Sequence, residues 1–308
     1  MLKVIILILT ILMLPFFAQA QKWKKQKVEY SFGIGATNFL GDLGGRNQQG
    51  TNGLMDFEIN STRYALGFGY RYQLAEDWFV KGNLCYVKVS GNDNLTDEPA
   101  RASRKLNFRS NIVEISAQAE YMIIKQKSDH LYKLRGVRGE SWFRFEVYAL
   151  AGFGVVWFDP KGDNGVENVR LAPLNTEGQG EIGGPNDYSG FAMVLPYGLG
   201  IRRALGGGAK SRHFGSWAIS LELTMRQTFS DYIDDVSGVY YDSDGGGVVG
   251  AGYSDEAAFF SDPSGDYVNG TFGEPQQRGN KTRNDAYMIG VISINYKPAQ
   301  RRRTLPKF

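Results

Sequence analysis

The chain has 308 residues, 42% of them hydrophobic and 22% charged, and this composition excludes a disordered tail. Its one cysteine excludes a disulfide framework and a thiolate metal cluster, and its two histidines leave little scope for hydrolytic chemistry. A net charge of +3 does not make the protein a polycation of the kind that binds nucleic acid, so no nucleic-acid partner is expected.

The first twenty residues have the pattern of a targeting segment. Lys3 precedes an apolar run at 4–17, and Ala18 and Ala20 supply the small residues that precede a cleavage site. We expect a signal peptide at 1–20. A retained anchor is the alternative, but the run is shorter than the ~20 apolar residues of a membrane-spanning helix. No later run approaches that length.

The rest of the chain alternates apolar and polar residues with a period of two, which is typical of strands. In the second segment Tyr64, Phe68 and Tyr72 share one face, while Arg63 and Arg71 share the other with glycines. Strands are predicted in eight segments: 28–36, 62–73, 78–89, 106–123, 142–158, 192–202, 217–228 and 286–296.

The polar faces of these strands carry charges of both signs, which can pair inside a closed and filled lumen. Besides Glu29, the predicted lumen network comprises Arg63, Arg71, Lys81, Glu114, Glu120, Arg144, Glu146, Arg202, Glu222 and Arg226. The sequence therefore predicts an all-β fold over 21–297, an eight-stranded antiparallel transmembrane β-barrel of the outer-membrane type with long outer loops. A soluble lipocalin-like barrel is the alternative. Aromatic residues at both ends of the strands favour the membrane.

The lengths and charges of the connections predict the orientation of the barrel. The long connections are acidic: 159–189 has six acids and two bases, and 230–285 has eleven acids and three bases. Short turns of outer-membrane barrels face the periplasm, so both termini are expected there. A basic tail at 298–308 follows. Two interpretations of its charges stay open, a partner-binding surface or a solvated end, and the residues concerned are Lys297, Arg301, Arg302, Arg303 and Lys307.

Few residues of the sequence are candidates for catalysis or metal binding. His130 and His213 both fall in predicted periplasmic turns, and neither has a plausible catalytic partner at the outer rim, so neither a catalytic site nor a cofactor is expected. Asp231, Asp234 and Asp235 cluster after the seventh strand. Three carboxylates could hold Ca²⁺, but the spacing lacks the EF-hand pattern, and a capped turn is favoured.

Five sequence islands, taken in order, resemble the PorG family of outer-membrane proteins. They are NFLGDL at 38–43, LNF at 106–108 with Glu114 and Glu120, YALAGFG at 148–154 with FDP at 158–160, LPYGLGI at 195–201, and RQTFSDYIDDVS at 226–237 with Glu222. The last island is the most specific of the five.

The resemblance implies a function that the residues alone do not. It implies an integral outer-membrane barrel of the type IX secretion system, associated with a periplasmic ring built from the lipoprotein PorK and its partner PorN. The family offers no catalytic residues to carry over. The predicted function is therefore non-enzymatic, anchoring or organising that ring, with outer-membrane lipids as further partners and no small-molecule substrate. The alternatives are a general small barrel of the OmpA type, for envelope integrity or surface adhesion, and a ligand-binding barrel.

Overall fold

The structure is a computed structural model, and it describes a set of separate ranges of the chain. These are 27–43, 60–96, 98–125, 145–180, 184–205, 215–241, 254–265 and 277–298. The predicted signal peptide at 1–20 lies outside them, and so does the predicted tail beyond residue 298. Both histidines and Arg144 also lie outside the described residues.

Within the described ranges, nine strands form a single sheet. They are β1 (Val28–Leu40), β2 (Arg63–Gln73), β3 (Trp78–Asn92), β4 (Asn107–Ile124), β5 (Glu146–Asp163), β6 (Asn168–Arg170), β7 (Phe191–Ala204), β8 (Ser216–Thr228) and β9 (Ala286–Lys297). The short β6 only folds back on the end of β5. The other eight correspond to the eight predicted segments.

The eight long strands close into a barrel. β1 pairs with β2 on one side and with β9 on the other, and the order continues through β3 to β4 and through β8 and β7 to β5. The pairing of β4 with β5 closes the ring. Every pairing is antiparallel. The predicted fold class, an eight-stranded antiparallel barrel, is confirmed.

The outer surface of the barrel is apolar. Side chains of one parity are exposed, such as Phe32, Ile115 and Phe153, whereas Glu114 and Ser31 of the other parity are buried. Lipid accepts an apolar exterior, and a closed barrel satisfies its backbone polar groups internally. A soluble ligand-binding barrel would have the opposite arrangement, so the lipocalin-like alternative is wrong.

The two ends of the barrel differ. At the terminal rim, where β1 begins and β9 ends, aromatic pairs lie on the outside: the rings of Trp217 and Tyr296 are 4.6 Å apart, and those of Trp78 and Tyr121 are 4.9 Å apart. Towards the opposite rim, which is called the capped rim below, the ring centroids of Tyr64 and Tyr86 are 6.2 Å apart. Two aromatic belts are typical of membrane-spanning barrels.

Three strands run further towards the capped rim than predicted. β1 continues to Leu40, β3 to Asn92 and β5 to Asp163. The reason is that the polarity of the wall reverses there. Inward-facing Val87 and Val89 are apolar and buried. The alternation of outward apolar and inward polar residues that predicted the strands therefore does not continue to their ends at this rim. The predicted strand 142–158 begins at Glu146 in the structure, and 142–144 lie outside the described residues.

Short elements fold over the capped rim. Helix α1 spans Pro99–Ala102, helix α2 spans Asp255–Ser261, and single 3-10 turns form at Asp93–Leu95 and Ala172–Leu174. The Ser254 hydroxyl caps α2 by accepting the Ala257 N–H at 3.2 Å. Among the described residues, no helix has both the length and the apolar character to cross a membrane.

Candidate functional site

The lumen nearest the terminal rim holds a chain of ion pairs. Arg71 donates to Glu120 at 2.5 Å and lies 3.6 Å from Glu29. Glu29 in turn contacts Arg202 at 2.8 Å, and Arg202 lies 3.6 Å from Glu146. Glu29, Arg71 and Glu120 are buried, so their charges depend on one another for stabilisation.

Further along the lumen two more ion pairs occupy the cross-section. Lys81 donates to both carboxylate oxygens of Glu222, at 2.7 and 2.8 Å, and the Tyr148 hydroxyl donates to Glu222 at 2.8 Å. Towards the capped rim Arg226 donates to Glu114 at 3.2 Å, and the Tyr287 hydroxyl donates to the same carboxylate at 3.0 Å.

Four of these pairs join strands that are not neighbours in the wall. The pair of Lys81 and Glu222 links β3 to β8, and the pair of Arg226 and Glu114 links β8 to β4. The pairs of Arg71 with Glu120 and of Arg202 with Glu29 do the same. Side chains therefore cross the lumen at several levels and fill it.

Nine of the eleven residues predicted for the network, Glu29 included, meet in this way, and two do not. Arg144 lies outside the described residues. Placing Arg63 in the network was wrong. It is the first residue of β2, at the capped rim, and its guanidinium donates to the backbone carbonyls of Asn60 and Thr62. The strand ends there, so its side chain turns to the rim instead of the lumen.

An apolar core closes the barrel at the capped rim. It combines inward-facing side chains of the strands with side chains of the connecting segments. Phe39 and Phe108 pack edge to face with their rings 4.7 Å apart, and Ile233, Val236 and Phe260 of the 230–285 connection are buried with them. The long connection is thus packed onto the end of the barrel by hydrophobic burial.

Charged groups are buried in the same cap, and sequence patterns did not indicate them. Arg278 donates to Glu177 at 2.9 Å and to the Asp235 carbonyl at 2.6 Å. Arg104 binds Asp93 through two nitrogens, both at 3.0 Å, and also donates to the Arg278 carbonyl. These residues lie in irregular segments, where no periodicity marks a buried position.

The three predicted aspartates form a turn, and they point in different directions. Asp234 accepts the backbone N–H groups of Leu43 and Val236 at 3.2 and 3.1 Å. Asp235 has a positive φ of 64° and accepts the hydroxyls of Thr176 and Tyr188, both at 2.5 Å. Asp231 is buried beside them. In the described part of the chain no group of three or more potential ligands could hold a metal ion.

Burial perturbs the acids of this turn. Burial, together with the charges of Asp42 and Glu177, raises the pKa of Asp231 to about 8. Burial raises the pKa of Asp235 to about 6, against the lowering effect of Arg278. The pKa of Asp234 is raised well above its ordinary value by burial and by the charge of Asp285. All three carboxyl groups of the turn are therefore protonated more readily than that of an ordinary aspartate.

The remaining predicted residues are placed as follows. Cys85 faces the lumen, is buried, and accepts a hydrogen bond from Asn83, as expected for a packed side chain. Lys297 is the last residue of β9, at the terminal rim. The other basic residues predicted to bind a partner lie outside the described residues: Arg301, Arg302, Arg303 and Lys307.

The N-terminal part of the chain is similar to a family of unknown function. Residues 3–146 match the family described as Domain of unknown function (DUF6089). No curated protein matches the chain.

Solved structures with a similar chain path are small membrane barrels. Ail, the attachment invasion locus protein of Yersinia pestis, is 11% identical, with 88% of this chain and 97% of that chain covered and a TM-score of 0.34. Neisserial surface protein A is 8% identical, with coverages of 88% and 96% and a TM-score of 0.35. OprG from Pseudomonas aeruginosa is 10% identical, with coverages of 89% and 98% and a TM-score of 0.34. The closed pairing of the eight long strands itself defines the barrel fold.

Proposed function

We propose that this protein is a non-enzymatic outer-membrane component of the type IX secretion system, which anchors or organises a periplasmic ring of the PorK and PorN kind. The observation that carries the proposal is the filled barrel. Ion pairs such as Lys81 with Glu222 cross the lumen, and an apolar core closes one end. A barrel built in this way suits a fixed anchor better than a conduit.

The absence of an enzymatic role is part of the proposal. The lumen carboxylates Glu114, Glu120 and Glu222 each bind an arginine or a lysine. A carboxylate held by a buried ion pair is a poor general base, because abstracting a proton would break that pair.

The geometry of the terminal rim supports the anchoring role. Val28 pairs with Tyr72, and Tyr30 pairs with Tyr296, so the first and last strands begin and end at the same rim. Basic residues precede β1 and follow β9 in the sequence: Lys22, Lys24, Lys25, Lys27, Lys297, Arg301, Arg302, Arg303 and Lys307. With this rim in the periplasm, the proposal assigns the docking of the ring to these basic stretches of the sequence.

Affinity purification of the full chain from gently solubilised envelopes tests the proposal. We expect the ring lipoprotein to co-purify with the full chain, and a chain ending at Lys297 to recover much less of it. Heat-modifiable gel mobility provides the folding control for the shortened chain. Absence of ring proteins from the full-chain sample would contradict the anchoring role. Equal recovery with both chains would contradict only the role of the tail.

A general small barrel for envelope integrity or surface adhesion is the second candidate. The observation in its favour is the folded cap, in which Arg278 and Arg104 fix several connections into one surface. That function needs no periplasmic ring. The same purification, combined with detergent sensitivity of cells that lack the protein, distinguishes the two candidates.

A further inference from the structure

The outward-facing side chains of β3, β4 and β5 change character abruptly near the capped rim. Cross-strand register aligns them in rows. One row, Tyr86, Val113 and Trp157, is aromatic and apolar. The next rows towards the rim are polar or charged: Lys88, Asn111 and Asp159, then Ser90, Arg109 and Lys161. This change marks the upper edge of the apolar belt on this side of the barrel.

A polar cavity of about 290 Å³ lies at this edge. Its lining includes two arginines, Arg63 from the start of β2 and Arg109 from β4, together with hydrogen-bonding side chains of the adjoining strands. Tyr64 follows Arg63 directly and is exposed on the outer wall, where it contacts Tyr86. Arg63 therefore connects the lining of the cavity to the aromatic side chains of the outer wall.

The described lining of the cavity carries a positive net charge. Arg109 lies 3.5 Å from Asp163, and both side chains are partly exposed. Arg63 donates to two backbone carbonyls, and no carboxylate of the described residues lies within ion-pair distance of it. Among the described lining residues, two guanidinium groups and one carboxylate give a net charge of +1.

We propose that this cavity binds the phosphate of a membrane lipid in the leaflet next to the capped rim. A guanidinium presents donors in a planar fork that matches a phosphate, and the side-chain amide of Asn92 can add a further donor, whereas that of Asn107 already donates to the Asp163 carbonyl at 3.1 Å. The acyl chains of the same lipid would lie along the apolar wall below, beside Tyr64 and Tyr86. The inference concerns the barrel alone and is independent of the secretion role.

Native mass spectrometry of the mature full chain in neutral detergent tests the inference. The probe is phosphatidylglycerol, and the matched control lipid is a diacylglycerol with the same tails and no phosphate. We expect Arg63→Gln and Arg109→Gln each to lower phosphatidylglycerol occupancy about tenfold, the effect of losing one charged hydrogen bond. Arg63→Lys keeps the charge and should retain part of the binding.

Arg170→Gln is the matched control, because Arg170 binds Asp159 on the exposed hairpin and does not line the cavity. It should bind the lipid as the unaltered chain does. Wild-type occupancy in both Arg63→Gln and Arg109→Gln would overturn the proposal, and so would equal binding of the diacylglycerol. Displacement of the lipid by millimolar inorganic phosphate would identify a free-phosphate site instead and would also overturn it. Heat-modifiable mobility confirms that each variant is folded.

Discussion

Asp231 makes the stability of the cap depend on pH. Its pKa in the folded protein is about 8, against an ordinary value of 3.8, so folding takes up a proton between these values. The cap is therefore most stable at acid pH and loses stability as the pH rises through 8. Asp231→Asn, which cannot ionise, should raise the urea midpoint at pH 8.5 and reduce the difference between pH 5 and pH 8.5.

Asp187→Asn is the control for this effect, because Asp187 is an exposed aspartate of the same cap. Its midpoint should follow the unaltered chain at both pH values. If Asp231→Asn instead lowers the midpoint at pH 8.5, the Asp231 carboxylate is stabilising in its ionised form and the account of the acidic turn fails.

Gly178 is required by both its backbone and its surroundings. Its φ is +68°, and an added Cβ would meet the ring of Tyr241. Gly178→Ala should cost about 1–2 kcal/mol from the left-handed backbone alone, plus the displacement of the ring. Gly165→Ala isolates the backbone effect, since Gly165 has a φ of +84° and open space around it. Urea midpoints that fall equally in the two variants would show that Tyr241 gives way without cost.

At the scale of the strands, the buried pair of Lys81 and Glu222 ties β3 to β8 across the lumen. Lys81→Met leaves an unpaired carboxylate in the lumen, and we expect a loss of about 3–5 kcal/mol in the free energy of unfolding. Combining it with Glu222→Gln removes that charge and should recover much of the loss. Urea unfolding of both single variants and the double variant gives the coupling energy. Additive losses would contradict a direct pair.

The strands could be predicted because lipid and lumen impose opposite polarities on alternate residues. The same rule identified Arg71, Glu120 and Glu222 as lumen residues, although it could not tell which charges meet across the barrel. Pairing depends on the closure of the sheet, and closure is a property of the whole ring.

The cap could not be predicted in the same way. Near the capped rim the inward side chains become apolar and the outward ones polar, as Val89 and Arg109 show. There the alternation of apolar and polar residues no longer has the pattern of a membrane-spanning strand. For this reason β3 and β5 extend beyond their predicted ends. Arg278 and Glu177 are 101 positions apart in the chain, and only the folded connections bring them together.

At the scale of the whole molecule, the filled lumen predicts an electrically silent barrel. Ion pairs cross the lumen at several levels, and the apolar core closes the capped rim. Reconstituted into planar bilayers, the folded chain should produce no stepwise currents, whereas an open porin prepared in parallel should conduct. Stable, reproducible conductance steps from the folded chain would contradict the filled lumen.

The role proposed for this barrel is that of a fixed anchor in protein export. Its most direct test is to delete the protein and measure the release of type IX cargo into the medium. We expect the deletion cells to lose this release and the wild-type chain to restore it. Normal release from deletion cells with an intact ring would contradict the account, and the envelope or adhesion role would then be the better proposal.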